Sequence, residues 1–276
     1  MSDKPQFFGL HAQPGPYLTW ALAAIPFILA IVIYMVAADI RHKENPQDKL
    51  LPNLSQMTDA AKRMAMDEDR RSGKILLWSD TAASLKRLAV GVALAAVVGL
   101  LLGLNMGLFP GMHVMLASGL TFISMIPPLS ILPILFIMVG VDELAKVTLI
   151  FIGIFPVIAR DILMAVNKIP REQITKALTL GATHLEVAYK IVLPQILPRL
   201  LESVRLALGA AWLFLIAAEA IAANEGLGYR IFLVRRYLAM DVIIPYVFWI
   251  TILGFLFDSM LRLLLKKKFA WYVARG

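Results

Sequence analysis

The side chains most able to do chemistry in this chain are carboxylates and guanidinium groups set inside apolar runs. Glu219 follows Ala211-Trp212-Leu213-Phe214-Leu215-Ile216-Ala217-Ala218 and precedes Ala220-Ile221-Ala222-Ala223. Asp258 follows Gly254-Phe255-Leu256-Phe257, and Arg160 and Asp161 are neighbours in the run that ends near Val166. A charge surrounded by hydrocarbon is costly, so each such group either serves a polar path or is neutralised by a partner. Glu219 reads as a path or gate group, or as a carboxylate paired structurally or reaching an interface. Asp258 reads first as a buried structural carboxylate. Arg160 reads as a snorkelling cation, as the partner of Asp161 or Asp258, or as a group lining the path. Thr121, Ser124 and Trp212 are neutral polar groups at mid-run, suited to lining such a path or to ordinary helix packing.

Covalent and metal chemistry is poorly supplied. There is no cysteine, which excludes disulfide frameworks and thiolate sites. His11, His42, His113 and His184 are scattered, so no imidazole cluster is expected. The sequence contains no GxxxxGK[ST], HExxH or GxSxG pattern, so neither a phosphate cradle nor a hydrolase site is expected in this chain.

The elements that position these groups follow from composition. Of the 276 residues, 59% are hydrophobic and 17% charged, against about 25% charged in soluble domains. Mean hydropathy is +0.75, which argues for a membrane protein. Runs of about 20 apolar residues mark crossing helices. They fall at Tyr17–Ala38, Ser84–Leu104, Met112–Val139, Lys146–Val166, Ser203–Ile221 and Asp241–Leu264. The first is longer than the apolar core of a signal peptide and reads as a retained helix. The third is too long for one straight span. Pro127, Pro128 and Pro133 divide it into a helix to Met125 and a broken or re-entrant piece to Val139, a form tolerated only where protein or a water-filled cavity covers the backbone. Pro156 should kink the fourth.

The fold expected is therefore all-α and polytopic, with about six transmembrane helices. It divides into a tail and first span (1–38), a polar connector (39–83), a core (84–264) carrying a loop at 167–202, and a basic tail (265–276). Met57–Arg71 in the connector has the pattern of a short amphipathic helix. Gly91, Ala95, Gly99, Gly103 and Gly107 recur every four residues, a ladder that lets another helix approach closely or slide. Six spans put both termini on one side, and Lys266–Lys268 suggest that this side is cytoplasmic. Lys and Arg are shared about equally between the two sides, so charge counting leaves orientation open. The net charge of +8 suits anionic lipid or partner proteins, and no nucleic-acid partner is expected.

The loop at 167–202 has the local chemistry of two short helices meeting at a turn. Pro170 and Glu172 suit a helix start. The first helix would run to Leu180, and Gly181 would provide a left-handed cap. Thr183 and Glu186 form a capping box for the second helix, which Leu193-Pro194 would close.

Ala177, Gly181, Ile191, Leu193 and Pro194 also fall at the spacing of a known loop, Glu-Ala-Ala-x3-Gly-x9-Ile-x-Leu-Pro. On these residues the chain resembles the permeases of ATP-binding-cassette importers. Thr175 and Lys176 depart from the pattern by replacing its Glu and first Ala. Leu50-Leu51-Pro52, Ser84–Gly91, Ile126-Pro127-Pro128, Ala211-Trp212 with Ala217-Ala218-Glu219, Gly226–Tyr229 and Gly254 with Asp258 are similar to the taurine, aliphatic-sulfonate, nitrate and bicarbonate branch. The resemblance runs from about Leu50 to Trp271.

It implies a bacterial inner-membrane subunit that forms the path for a small polar solute: a sulfonate, nitrate, bicarbonate or small nitrogen compound. It implies that Ala177, Leu180, Gly181, Ala182, Thr183 and Glu186 couple to an ATPase present in two copies. A second permease copy or a paralogue would complete the path, and an extracytoplasmic binding protein would deliver the solute. ATP and Mg²⁺ would be bound by the ATPase, with no cofactor in this chain. Two other readings stay open. An ATP-independent secondary transporter or channel would need clustered membrane carboxylates or inverted repeats. A non-transporting scaffold would use the loop to hold a signalling partner.

Overall fold

The computed structural model describes residues 15–45, 49–69 and 72–274. His11 and most of the amino-terminal tail, and Arg71 at the end of the expected amphipathic segment, lie outside them.

Among the described residues twelve α-helices follow one another: α1 (Pro16–Glu44), α2 (Leu54–Met66), α3 (Leu76–Leu108), α4 (Pro110–Met125), α5 (Pro128–Val139), α6 (Glu143–Asn167), α7 (Arg171–Thr179), α8 (His184–Glu186), α9 (Leu193–Ala222), α10 (Leu227–Arg235), α11 (Met240–Lys268) and α12 (Ala270–Val273). Among the described residues five helical runs are long and apolar enough to cross a membrane, and the α4–α5 pair makes a sixth if counted as one span. The chain is all-α and polytopic, as its composition requires.

The α4–α5 break is where the prolines place it. Pro127 and Pro128 supply no backbone donors, so the helix stops at Met125 and restarts on Pro128, turned by 96°. Twelve residues of α5 span only about 18 Å, less than the hydrocarbon core of about 30 Å.

The glycine ladder seats α3 on α6. Gly91 faces Ile150, Gly99 faces Ile158, Gly103 faces Ile162 and the Ala159 carbonyl, and Gly107 faces Val166. A Cβ on Gly103 would lie 2.5 Å from the Ala159 oxygen, so only glycine lets the two backbones come this close. Ala95, Ile150, Ile158 and Ile162 are fully buried along the seam. On the other side of α6, Gly153 makes room for the Phe214 ring of α9.

The polar connector forms α2, shorter than the expected 57–71 but amphipathic as expected. It lies against α11, with Ala60 buried and the Trp78 indole donating to the Ala65 carbonyl at 3.1 Å. Helix α1 is almost entirely exposed and apolar. It is tied back where Tyr34 donates to the Pro52 carbonyl at 2.8 Å.

One boundary differs in kind. Leu193-Pro194 does not close the second loop helix. A π-helical turn over Val187–Val192 joins α8 to α9, so the helix runs from His184 to Ala222. Pro194 falls in the first turn of α9, and the wider turn before it accommodates the ring and the missing donor.

Candidate functional site

Two constructions stand at opposite ends of α9. The first is the capped turn between α7 and α8. The Ala182 amide donates to the Ala177 carbonyl at 3.1 Å and the Gly181 amide to the Leu178 carbonyl at 3.0 Å. This is the paired closure of a helix by a left-handed residue, and Gly181 has φ +89°. Thr183 then opens the next helix. Its Oγ1 accepts from the Glu186 amide at 3.2 Å, and its own amide donates to Glu186 Oε2 at 3.0 Å. Pro170 caps α7 from outside rather than occupying its first turn. Ala177 and Ala182 pack inward against the core. Leu180 and Leu185 point away from it, 87% and 63% exposed. The turn is closed by caps on both sides, and its two leucines have no cover among the described residues.

The second construction is a buried polar cluster built on α3. Asp80, Ser84 and Arg87 follow each other at helical spacing on one face, and each is at most 3% exposed. Arg87 Nη1 donates to Glu219 Oε1 at 2.7 Å and to the Glu225 carbonyl at 2.8 Å. Its Nη2 reaches Glu143 Oε1 at 2.8 Å. Glu219 also accepts from Ser84 at 2.8 Å and from the Gly228 amide at 2.9 Å. Asp80 accepts from the Gly226 amide at 2.9 Å and from Arg230 Nε at 2.8 Å. Ser84 accepts from the Leu227 amide at 2.8 Å. Three side chains of α3 thus hold the Glu225 carbonyl and the Gly226 and Leu227 amides, and Glu219 of α9 holds the Gly228 amide. Gly226 has φ +131°, and a Cβ there would lie 2.6 Å from the Glu219 carboxyl carbon.

The remaining polar candidates are dispersed. Asp258 pairs with Arg205 at 3.3 Å and Arg262 at 3.2 Å. Asp161 takes Arg199 and Ser203. The pairing expected of Arg160 with Asp161 or Asp258 therefore does not form. Neighbours on a helix point about 100° apart, which leaves Arg160 exposed. Trp212 is 8% exposed, and its indole nitrogen has no partner among the described residues. Thr121 is exposed, and Ser124 donates to its carbonyl at 2.8 Å. Asp80, Ser84, Arg87 and Arg230 are not among the site residues that the sequence points to, although Ser84 and Arg87 lie in a stretch that carries the resemblance. A signal was present: Asp, Ser and Arg at steps of four and three residues form a polar stripe on an apolar helix.

Comparison with known proteins joins these observations. The family model described as binding-protein-dependent transport system inner membrane component matches residues 91–269. The taurine transport system permease protein TauC of Escherichia coli is 35% identical over 196 residues, 71% of each chain. The bicarbonate transport system permease protein CmpB of Synechocystis is 33% identical, over 67% of this chain and 66% of its own. A chain of the MetNI methionine ABC transporter, solved in an inward facing conformation, superposes with a TM-score of 0.59 at 21% identity, over 67% of this chain and 92% of its own. That likeness extends the agreement to the fold. This chain belongs to the binding-protein-dependent inner-membrane components and is a multi-pass transmembrane permease subunit of an ATP-binding-cassette importer.

Proposed function

We propose that two copies of this chain, or this chain and a paralogue, enclose the path of a small oxyanion such as a sulfonate. The Ala177–Glu186 turn of each copy docks on one of two ATPase subunits, which bind ATP and Mg²⁺. The observation that carries this reading is the turn itself: leucines at 180 and 185 exposed on a doubly capped support. Apolar groups held out in this way suit a partner cleft. ATP-driven closure of the ATPases moves each turn as a rigid body and re-aims the spans. A binding protein delivers solute at the other end, where a 740 Å³ cleft lined by Asp142, Glu143, Lys146 and Glu225 opens beside Arg87. The loop end and both termini then face the cytoplasm.

The oxyanion class rests on chemistry and on the names of the relatives. Two bare carboxylates in the path would repel an anion. Here Glu219 is compensated by Arg87, and Asp258 by Arg205 and Arg262. Trp212 offers an indole N–H without a partner among the described residues, and Thr121 and Ser124 supply hydroxyls.

The test is co-expression with the neighbouring genes, followed by extraction in mild detergent. A P-loop ATPase recovered in equal amount, with ATP-dependent uptake of a sulfonate or other oxyanion, is the expected result. A chain that purifies alone and moves solute in ATP-free vesicles would sink the coupling assignment and favour a secondary transporter. Uptake of only neutral or cationic nitrogen compounds would sink the oxyanion assignment while leaving the coupling intact.

A further inference from the structure

The end of the bundle that carries the α7–α8 turn contains a second polar construction, which the transport reading does not use. A cleft of 880 Å³ opens between the end of α6, the start of α9, the end of α11 and α12. Lys168, Arg199, Arg205, Arg262 and Lys266 line it, against the acids Asp161 and Glu202.

The acids are already engaged. Arg199 binds Asp161 and also reaches Glu202 at 3.2 Å. Tyr272 donates its hydroxyl to Glu202 at 2.8 Å. Burial, then the adjacent Glu202 carboxylate, raise the Tyr272 pKa above its ordinary value, so the hydroxyl stays a donor. Asp258, behind the wall, is shared by Arg205 and Arg262. Among the described residues, Lys168 and Lys266 form no ion pair. Five cations against three acids leave a surplus of two positive charges in a concave, partly desolvated space.

Depth gives the second argument. The cleft straddles the level at which the apolar helices give way to the polar loop. Trp271 and Tyr272 stand edge to face at 5.9 Å at its mouth, and such rings settle at the headgroup level of a bilayer. Met164 on its wall and Leu264 beside it are exposed and apolar, which suits contact with acyl chains. Basic pockets between membrane helices are suited to anionic headgroups. A water-soluble ligand would have no use for the apolar flank.

We infer that this cleft binds a phosphate-bearing anion, supplied by the headgroup of an anionic phospholipid. Lys168 and Lys266 provide the free charge, and Arg199 and Arg262 provide the fixed fork donors. The site is independent of which solute is moved, and its test is independent of transport.

The experiment uses the full chain with whatever subunits co-purify, in mild detergent. Phospholipid retained through delipidation is quantified. The thermal midpoint is then measured with phosphatidylglycerol, with phosphatidylcholine of the same chains, and with inorganic phosphate alone. The variants are Lys168→Gln with Lys266→Gln, and, as a control outside the cleft, Lys267→Gln with Lys268→Gln. All four lysines are exposed, so folding is not at stake, and an unchanged elution profile verifies it. Phosphatidylglycerol should stabilise the wild type more than phosphatidylcholine. The cleft variant should lose on the order of tenfold in phosphatidylglycerol retention, while the control stays close to wild type. Equal behaviour of the two lipids, or of the two double variants, overturns the site. Stabilisation by inorganic phosphate without lipid preference keeps the phosphate chemistry and overturns its lipid source.

Discussion

Arg87 on α3 and Glu219 on α9 meet at 2.7 Å, with neither side chain more than 3% exposed. The pair is not symmetrical. Glu219 has one cation, helped by Ser84 and the Gly228 amide. Arg87 has two carboxylates, because Glu143 takes its other edge. Removing either partner therefore leaves a different residue of charge behind.

Arg87→Met strands Glu219 in a buried site and should cost about 3–5 kcal/mol, the range for a broken buried pair. Glu219→Gln leaves Arg87 on Glu143 and should cost only about 1–3 kcal/mol. Thermal midpoints of the two purified variants decide it. Equal losses, or a larger loss for Glu219→Gln, would contradict the asymmetry. If Glu219 also serves the path, uptake in Glu219→Gln falls further than its loss of folded protein explains.

Gly226→Ala should be among the most damaging single-methyl changes in the chain. The added carbon meets the Glu219 carboxyl carbon at 2.6 Å and Arg87 Nη1 at 2.7 Å, and φ is strained for any L side chain. Gly119→Ala, with nothing within 4 Å, is the matched control. Yields of monodisperse protein in detergent should fall sharply for the first and stay unchanged for the second.

Gly181→Asp should separate ATP hydrolysis from transport. The position has open space around it but φ +89°, so the residue fits only by distorting the turn. Insertion and yield should match the wild type, while uptake per ATP hydrolysed falls. Thr183→Ala is a gentler probe, removing a cap of about 1 kcal/mol. Intact coupling in Gly181→Asp would remove the turn from the mechanism.

Gly103→Val tests the α3–α6 seam. The new side chain must displace the Ala159 carbonyl and Ile162, an overpacking cost of about 3 kcal/mol. Gly111→Val meets nothing within 4 Å and should lose no more than the glycine's helix preference returns. Midpoints that fall equally would mean that the ladder does not carry the packing.

The sequence made the spans, the proline break and the capped turn readable because each is local. Apolar length, absent donors and a glycine followed by Thr-x-x-Glu act over a few residues. The α2 helix was legible for the same reason. The polar cluster was not, because its partners are far apart: Asp80 with Arg230, Ser84 and Arg87 with Glu219. Glu219 stood out as a charge in an apolar run, but nothing nearby in the chain could name its cation. The passage of α8 into α9 escaped for a different reason. Leu-Pro is an ordinary stop signal, and only the π-helical turn before it lets the helix continue.

That continuity fixes how the two ends of the molecule relate. From His184 to Ala222 the helix is one run of 39 residues, about 60 Å from end to end. One terminus begins at the capped turn, and the other carries Glu219 into its contact with Arg87. The run is continuous, so displacement applied at one terminus is carried towards the other along one backbone. Its hydrogen-bond ladder is weakened at the π-helical turn over Val187–Val192 and at Pro198, and these are the places where it can flex. If an ATPase moves the capped turn, as proposed, the far end of the helix follows along a single backbone, without a relay of separate contacts.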